Sequence, residues 1–364
     1  KNLSRRDFLK ISGTAAAAGM VLVGCGPASR YVTRVPYAEM PEYQQVGKST
    51  YYATTCRECP AGCGLIVRTF EGRAIKVEGN PNHPVNQGKV CSRGLTAVQG
   101  VYNLDRVNGP LMQGRRGSAD GQPISWDEAI AALQKSLSEA KGSEIAFLLG
   151  AMPDSLYDLT AELAVKLNAP APVRYSALNF LEGRDTWLAV SEGYYGAAAF
   201  PYFDLENAEV VLNFGAEFLE NWLSPMAYSR GLRGLRKGRL GNRGYMVSFS
   251  PRQSISAAAA DEWIPIKPGT EALVALALAK LTAYARSEFS PEAARAVDVK
   301  AAADASGVSE EKLKELSARF AESTRPLAIA GGSALAGKAG AAAASAVLAL
   351  NAAVNNFGQA GGVF

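Results

Sequence analysis

Histidine is nearly absent: His83 is the only one in 364 residues. That excludes a bis-histidine haem, a two-histidine Rieske cluster and a zinc site of the HExxH kind. Ser-His-Asp catalysis could run only through His83, and no G-x-S-x-G elbow accompanies it. Strong charge of one sign is missing too. The formal net charge is +4 and no Lys/Arg run forms a basic arm, which argues against nucleic acid as a partner. The uncharged stretch "ISGTAAAAGMVLVGCG", residues 11–26, falls short of the ~20 residues a spanning helix needs. What remains is an ordinary globular composition, 48% hydrophobic and 20% charged, with room for two or three domains.

The first 26 residues read as an address. "SRRDFLK", Ser4–Lys10, is a twin-arginine signal, the kind that carries proteins out of the cytoplasm after they fold around a cofactor. The apolar stretch after it ends in Leu22-Val23-Gly24-Cys25, which resembles a lipoprotein lipobox. Two fates follow: an uncleaved N-terminal anchor helix, or lipid attachment at Cys25. Either tethers the protein at the extracytoplasmic face of the membrane.

Residues 27–50, rich in Pro and Tyr without a period, read as an extended linker. A Cys- and Gly-rich unit covers residues 51–108. In it "GLIVRTFEGRAIKVEGN" holds two apolar runs joined by Glu71-Gly72, a hairpin signal. "GPLMQGRRGSADGQP" then acts as a separator. Over residues 109–364 helix and strand patterns alternate. Ser125 with Glu128 forms a capping box for a helix to about Ala140, and "EIAFLLG" reads as a buried strand. "SLYDLTAELAVKLNA" and "TEALVALALAKLTAYA" read as helices. "AEVVLNFG", "GYMVSFSP" and "PLAIAGG" read as further strands, and the Ala-rich stretch 334–354 as a helix with a small-residue face. Strands spaced by helices predict Rossmann-like parallel α/β domains behind a small Cys-rich β domain. Ligands of such sheets sit at the carboxyl ends of the strands, here "NFGAEF", "SFSPRQS" and "AGGSA".

Four of the five cysteines, Cys56, Cys59, Cys63 and Cys91, follow C-x2-C-x3-C-x27-C. Three thiolates on one loop and a fourth from a distant segment suit a cubane [4Fe–4S] cluster. Gly62, Gly64, Gly88 and Gly94 let backbone N–H groups approach the sulfurs. Zinc and disulfides are the alternatives. Zinc usually takes C-x2-C twice, and Cys56 and Cys59 are too close for an easy independent pair.

"CRECPAGCGLIVRTFEGRAIKVEGNPNHPVNQGKVCSRG" resembles the N-terminal domain of the molybdopterin oxidoreductases. The likeness continues through "DLENAEVVLNFGAEF", "SPRQSISAAAADEWIPIKPGTEALVALALA" and "NNFGQAGGVF". It implies that Cys56, Cys59, Cys63 and Cys91 hold a [4Fe–4S] cluster and that Arg93 lies between cluster and pterin. His83, in "NPNHP", then belongs to a structural turn. Catalytic chains of that family run well past the length seen here, so a fragment, a partly represented subunit or a truncated relative is implied.

The resemblance also implies a protein ligand to molybdenum within residues 179–203. No cysteine occurs there, and the oxygen candidates, Ser191 and Asp185, read as surface helix residues. Where the family has Gly-x-Asn this chain has Gly215-Ala216-Glu217, a carboxylate where a phosphate would approach. Ser250-Pro251-Arg252 replaces Asp-Pro-Arg, and Glu271 replaces the Asp of Pro-Gly-Thr-Asp. A Mo–bis(guanine dinucleotide) cofactor is therefore not expected. "FGAEFLENWLSP" and "ADEWIPIKPGTEALVALALA" are most similar to the large iron–sulfur subunit of alternative complex III and polysulfide-reductase-like quinone oxidoreductases. This implies a membrane quinol-oxidising subunit, further Fe–S subunits and c-type haem subunits as partners. The remaining alternatives are an active Mo/W enzyme and a scaffold with zinc or nothing at the cysteines.

Overall fold

The computed structural model describes residues 47–114, 121–150, 152–177, 182–238, 243–286 and 292–364. The twin-arginine stretch, Cys25, residues 27–46 of the linker and residues 179–181 of the metal-ligand region lie outside the described residues. The chain divides into two compact units, Lys1–Thr50 with Thr69–Ala74, and Tyr51–Arg68 with Ile75–Phe364. The described part of the first consists of residues 47–50 and 69–74, strand ends and the Glu71-Gly72 turn. Both turn residues take positive φ, 47° and 78°, which suits a tight two-residue hairpin.

Strands β1 (Ser49–Thr55), β2 (Gly64–Phe70) and β3 (Arg73–Gly79) form one sheet in that order. Helix α1 (Ser92–Val101) follows Cys91 directly. The Gly/Arg-rich separator holds an antiparallel pair, β4 (Leu111–Gln113) and β5 (Gly121–Pro123), which its composition did not announce. Helix α2 (Trp126–Glu139) opens on the capping box read from sequence. The Ser125 Oγ accepts the Glu128 N–H at 3.2 Å, and the Glu128 carboxylate accepts the Ser125 N–H at 2.8 Å.

"EIAFLLG" is a correction. Only β6 (Leu148–Leu149) is strand, paired in parallel with β7 (Val173–Arg174) across α3 (Asp154–Lys166). Leu148 is 73% exposed. An apolar run signals capacity for burial, not the presence of a cover. Here α2 buries none of its residues and α3 only Ala164.

After α4 (Arg184–Tyr195) the parallel region begins. It runs β8 (Val210–Phe214), α5 (Pro225–Leu235), β9 (Tyr245–Phe249), α6 (Ile255–Ala258) and β10 (Glu262–Ile264). It continues with α7 (Glu271–Arg286), α8 (Glu292–Ala296), α9 (Val299–Ser306), α10 (Glu310–Glu322), β11 (Pro326–Ala330) and α11 (Gly340–Ala352). The sheet order is β10-β9-β8-β11, every pairing parallel. Every residue of β8 and β11 is buried, as unbroken apolar runs require. Phe214 and Phe249 stack with ring centroids 4.9 Å apart. The Ala-rich stretch forms α11, whose small residues let it pack closely against α7 and β11.

At the β11 edge, Ala328 has backbone groups that no strand pairs. The buried Asn351 of α11 supplies both partners: its Oδ1 accepts the Ala328 N–H and its Nδ2 donates to the Ala328 carbonyl, each at 2.9 Å. Among the described residues, no helix is long and apolar enough to cross a membrane.

Candidate functional site

Cys56 closes β1 and its N–H donates to the Cys63 carbonyl at 2.7 Å, which folds "CRECPAGC" into one tight loop. Gly62 takes φ +60° inside it, a conformation that favours glycine. Cys91 comes from a separate segment as the N-cap residue of α1, so its sulfur belongs to the positive end of a ten-residue helix. The small apolar core around the thiols contains Leu65 and Val77, with Val67, Val90, Val98 and Met226 against it. Gly94 makes room: a Cβ there would lie 2.6 Å from Val90 Cγ2 and 3.7 Å from the Cys56 sulfur. His83 packs its ring on Gly64, where a Cβ would come within 2.5 Å of it.

All four cysteines are free thiols, with Cys56 and Cys63 buried and the other two half-buried. Burial pushes the Cys63 thiol up to about 11, and the neighbouring Cys59, Cys56 and Cys91 add to the rise. Cys56 is raised chiefly by burial, opposed by the Glu58 backbone N–H aimed at its sulfur. Packed this way the thiols stay protonated on their own, and they become thiolates only with a cationic centre among them. Among the described residues no three His, Cys, Asp or Glu side chains are placed to share one metal ion. A single tetrahedral zinc, with Zn–S bonds of about 2.3 Å, would need sulfurs within about 4 Å of one another. The donor set, four cysteines without histidine or carboxylate among them, is the set a [4Fe–4S] cluster takes.

Arg93, on α1, donates from Nη2 to the Glu220 carbonyl at 3.2 Å, and Arg230 of α5 donates to the Val85 carbonyl at 2.9 Å. These bonds join the cysteine segment to the loops and helix after β8. Near Arg93 lies a buried carboxylate that sequence reading missed, Glu182. Burial pushes its carboxyl up, while the paired Arg184, the Leu223 N–H and the charge of Arg93 oppose the rise. Its signal was a lone Glu before Gly183, which says nothing of burial.

The three strand-end phrases do meet. A Cβ on Gly332 would come within 2.4 Å of the Gly215 carbonyl oxygen, so "AGGSA" touches "NFGAEF". Glu217 forms an ion pair with Arg252, which joins "NFGAEF" to "SFSPRQS". Ser250 Oγ donates to the Arg252 carbonyl at 2.8 Å and accepts from Trp263 Nε1 at 3.2 Å. Trp222 fills space beside Gly331, where a Cβ would stand 2.3 Å from its Nε1, and donates to the Glu182 carbonyl at 2.9 Å. Glu271, at the start of α7, is buried, and burial pushes its carboxyl up against the pull of the Glu271 and Gly269 N–H groups.

Asp185 is exposed at the start of α4. Ser191 is a correction, since it is only 2% exposed and not a surface helix residue. Its face of α4 turns inward together with Trp187 and Val190, a spacing of three to four residues. At the opposite, amino-terminal edge of the sheet a cavity of about 620 Å³ opens among Glu209, Arg243, Tyr245, Arg319 and Arg325. Two of its cations are paired, Arg325 with Glu209 of the same lining and Arg243 with Asp261 outside it, each at 2.9 Å.

A four-thiol centre joined to a parallel α/β sheet is the build of an iron–sulfur oxidoreductase. Residues 49–103 match the molybdopterin oxidoreductase Fe4S4 domain and residues 106–364 match molybdopterin oxidoreductase, and the chain belongs to that family. The Fe4S4 domain supports a [4Fe–4S] cluster. Residues 2–21 match the twin-arginine translocation signal, which directs transport to the extracytoplasmic side.

Among curated relatives, the menaquinone reductase molybdopterin-binding-like subunit of Nitratidesulfovibrio vulgaris is 29% identical, over 99% of this chain and 52% of its own length. The arsenate respiratory reductase molybdopterin-containing subunit of a Shewanella species is 31% identical, over 76% of this chain and 32% of its own. A sulfite dehydrogenase subunit from Allochromatium vinosum is 31% identical, over 65% of this chain and 24% of its own. The chain thus spans about half or less of the curated relatives it matches. Acetylene hydratase from Pelobacter acetylenicus shares the fold, with TM-score 0.66 and 18% identity over 86% of this chain and 44% of that one.

Proposed function

We propose that this chain is an electron-transfer and scaffold subunit of a membrane-bound quinol:acceptor oxidoreductase, and that its molybdopterin site is degenerate. The observation that carries the reading is the contrast between four neighbouring thiols and a strand end where Glu217 is paired with Arg252. Cys56, Cys59, Cys63 and Cys91 would hold the [4Fe–4S] cluster, which supplies one-electron transfer when bound. The chain's own residues do the rest. Leu65, Val77 and Met226 keep water from the sulfurs, the Glu58 N–H points at the Cys56 sulfur, and α1 presents its positive end at Cys91. Arg93 adds a cation and couples the α1 segment to the Glu220 loop.

At the crevice, Glu217 sets a carboxylate where a phosphate would approach, and Arg252 is engaged with it. Ser250 spends its hydroxyl on Arg252 and Trp263. The relative aligned over nearly the whole chain is named a molybdopterin-binding-like subunit of a menaquinone reductase, which supports a quinone-linked role. The proposed partners are a quinol-oxidising membrane subunit, other Fe–S subunits and c-type haem subunits, with tethering through the N-terminal segment or a lipid on Cys25.

One observation favours a second reading, an active Mo/W enzyme of polysulfide reductase type: the Shewanella relative at 31% identity is named molybdopterin-containing. Acid release of the cofactor separates the two. The proposal predicts no pterin or guanine nucleotide from the denatured protein, and stoichiometric release would sink it. EPR after dithionite reduction tests the cluster. A fast-relaxing S = 1/2 signal is expected, and a silent protein carrying zinc would replace the electron-transfer role with a purely structural one.

A further inference from the structure

We propose that Asn86 is the positioning residue that sets the third cluster ligand against the fourth. The inference rests on the reading that the four cysteines hold the cluster. Cys63 and Cys91 are 28 positions apart and arrive on different loops, so something must fix the distance between them. Asn86 is fully buried. Its Oδ1 accepts the N–H of Gly64, the residue after Cys63, at 2.8 Å. Its Nδ2 donates to the Gly64 carbonyl at 2.9 Å and to the Lys89 carbonyl, two residues before Cys91, at 2.6 Å. The Lys89 N–H donates back to the Asn86 carbonyl at 2.9 Å. One amide thus grips both loops, each grip within two residues of a thiol.

The surroundings leave the two loops little freedom apart from this bridge. The His83 ring covers Gly64 from one side. Gly79, at the end of β3, lies so near Gly88 and Lys89 that a Cβ would come within 2.6 Å of both backbones. The Asn80 N–H donates to the Gly64 carbonyl at 2.9 Å and the Asn80 carbonyl accepts from Gly88 at 2.8 Å. Among the described residues, Asn86 bonds through a single side chain to backbone beside Cys63 and backbone before Cys91. An aspartate there would keep the bond from Gly64 N–H but could not donate to either carbonyl. Groups that orient metal ligands from behind typically change metal affinity about 10–100-fold when removed.

The test compares full-length holoprotein as wild type, Asn86→Ala, Asn86→Asp and a matched control, Asn351→Ala. Asn351 is equally buried and likewise bonds both backbone groups of one residue, Ala328, but from α11 against the parallel sheet, where it also bonds Val347 and Asn356. The readouts are cluster lifetime in air per folded chain, EPR line shape and midpoint potential. Both Asn86 variants should shorten the lifetime by about 10–100-fold and pass through a three-iron signal. Asn86→Asp should also shift the midpoint potential. Asn351→Ala should unfold more easily with wild-type cluster properties. Wild-type lifetime and potential in both Asn86 variants would overturn the proposal. So would equal cluster loss in Asn351→Ala, or failure of both Asn86 variants to accumulate as folded chain, because the sheet core does not depend on Asn86. A wild type without iron would instead overturn the cluster reading beneath it.

Discussion

The cysteine segment, residues 49–103, and the parallel-sheet region from β8 onward hold themselves together in different ways. The sheet region has a large continuous apolar core, in which β8, β9 and β11 carry Leu212, Met246, Phe249 and Ile329 at 0% exposure. The cysteine segment buries little beyond Leu65, Val77 and two thiols, and leans on glycine contacts and one buried amide. A small apolar core supplies little stability, so a bound centre becomes part of the folding free energy there. The sheet needs no such help. The fold thus joins a segment with a small apolar core to a region with a large core of its own, reinforced by polar contacts such as those of Asn351 and Asp261.

The largest expected break falls on the first region. Cys63→Ser should abolish the four-iron cluster, read as loss of iron and of the visible charge-transfer absorption, while the sheet region keeps its cooperative unfolding transition. The converse break is Phe249→Ala, which removes the ring stacked on Phe214 at the sheet centre. It should destabilise the fold by about 3–5 kcal/mol in chemical denaturation and leave iron per folded chain unchanged.

A smaller effect comes from Asp261, which accepts bonds from Arg236 at 2.6 Å, Arg243 at 2.9 Å and the Met246 N–H at 2.8 Å. Burial pushes its carboxyl up, but the Arg236 hydrogen bond, the Met246 N–H and both guanidinium charges outweigh this and leave it below the ordinary value. A carboxyl lowered on folding contributes stability above its unfolded pKa of about 3.9, and loses it as pH falls through the folded value. Asp261→Asn should therefore lower stability by about 1–3 kcal/mol at neutral pH, with the deficit shrinking in acid, as denaturation at several pH values would show. The smallest is Arg252→Ala. Arg252 is largely exposed, so its loss should change stability by less than about 1 kcal/mol by thermal denaturation.

Legibility followed the range of the interaction. The thiols stood out because three of them share one short loop, and the strands "VVLNF" and "PLAIA" because burial on both faces writes an unbroken apolar run. The Ser125–Glu128 cap was equally local. "EIAFLLG" misled because the same apolar run appears whether or not a cover is present. The burial of Ser191 escaped because one small polar residue fits either face of a helix. Asn86 and Glu182 left no trace at all, since a buried amide bridging residues 64 and 89, or a carboxylate enclosed beside Arg184, exists only after distant segments meet. Glu217 and Ser250 were each visible as departures, but the pairing of Glu217 with Arg252 across β8 and β9 belongs to the sheet.

Elemental analysis of the purified, full-length holoprotein tests the central claim most directly. The account predicts about four iron atoms per chain, as one [4Fe–4S] cluster requires, with molybdenum and tungsten far below stoichiometric. One molybdenum or tungsten per chain would contradict it.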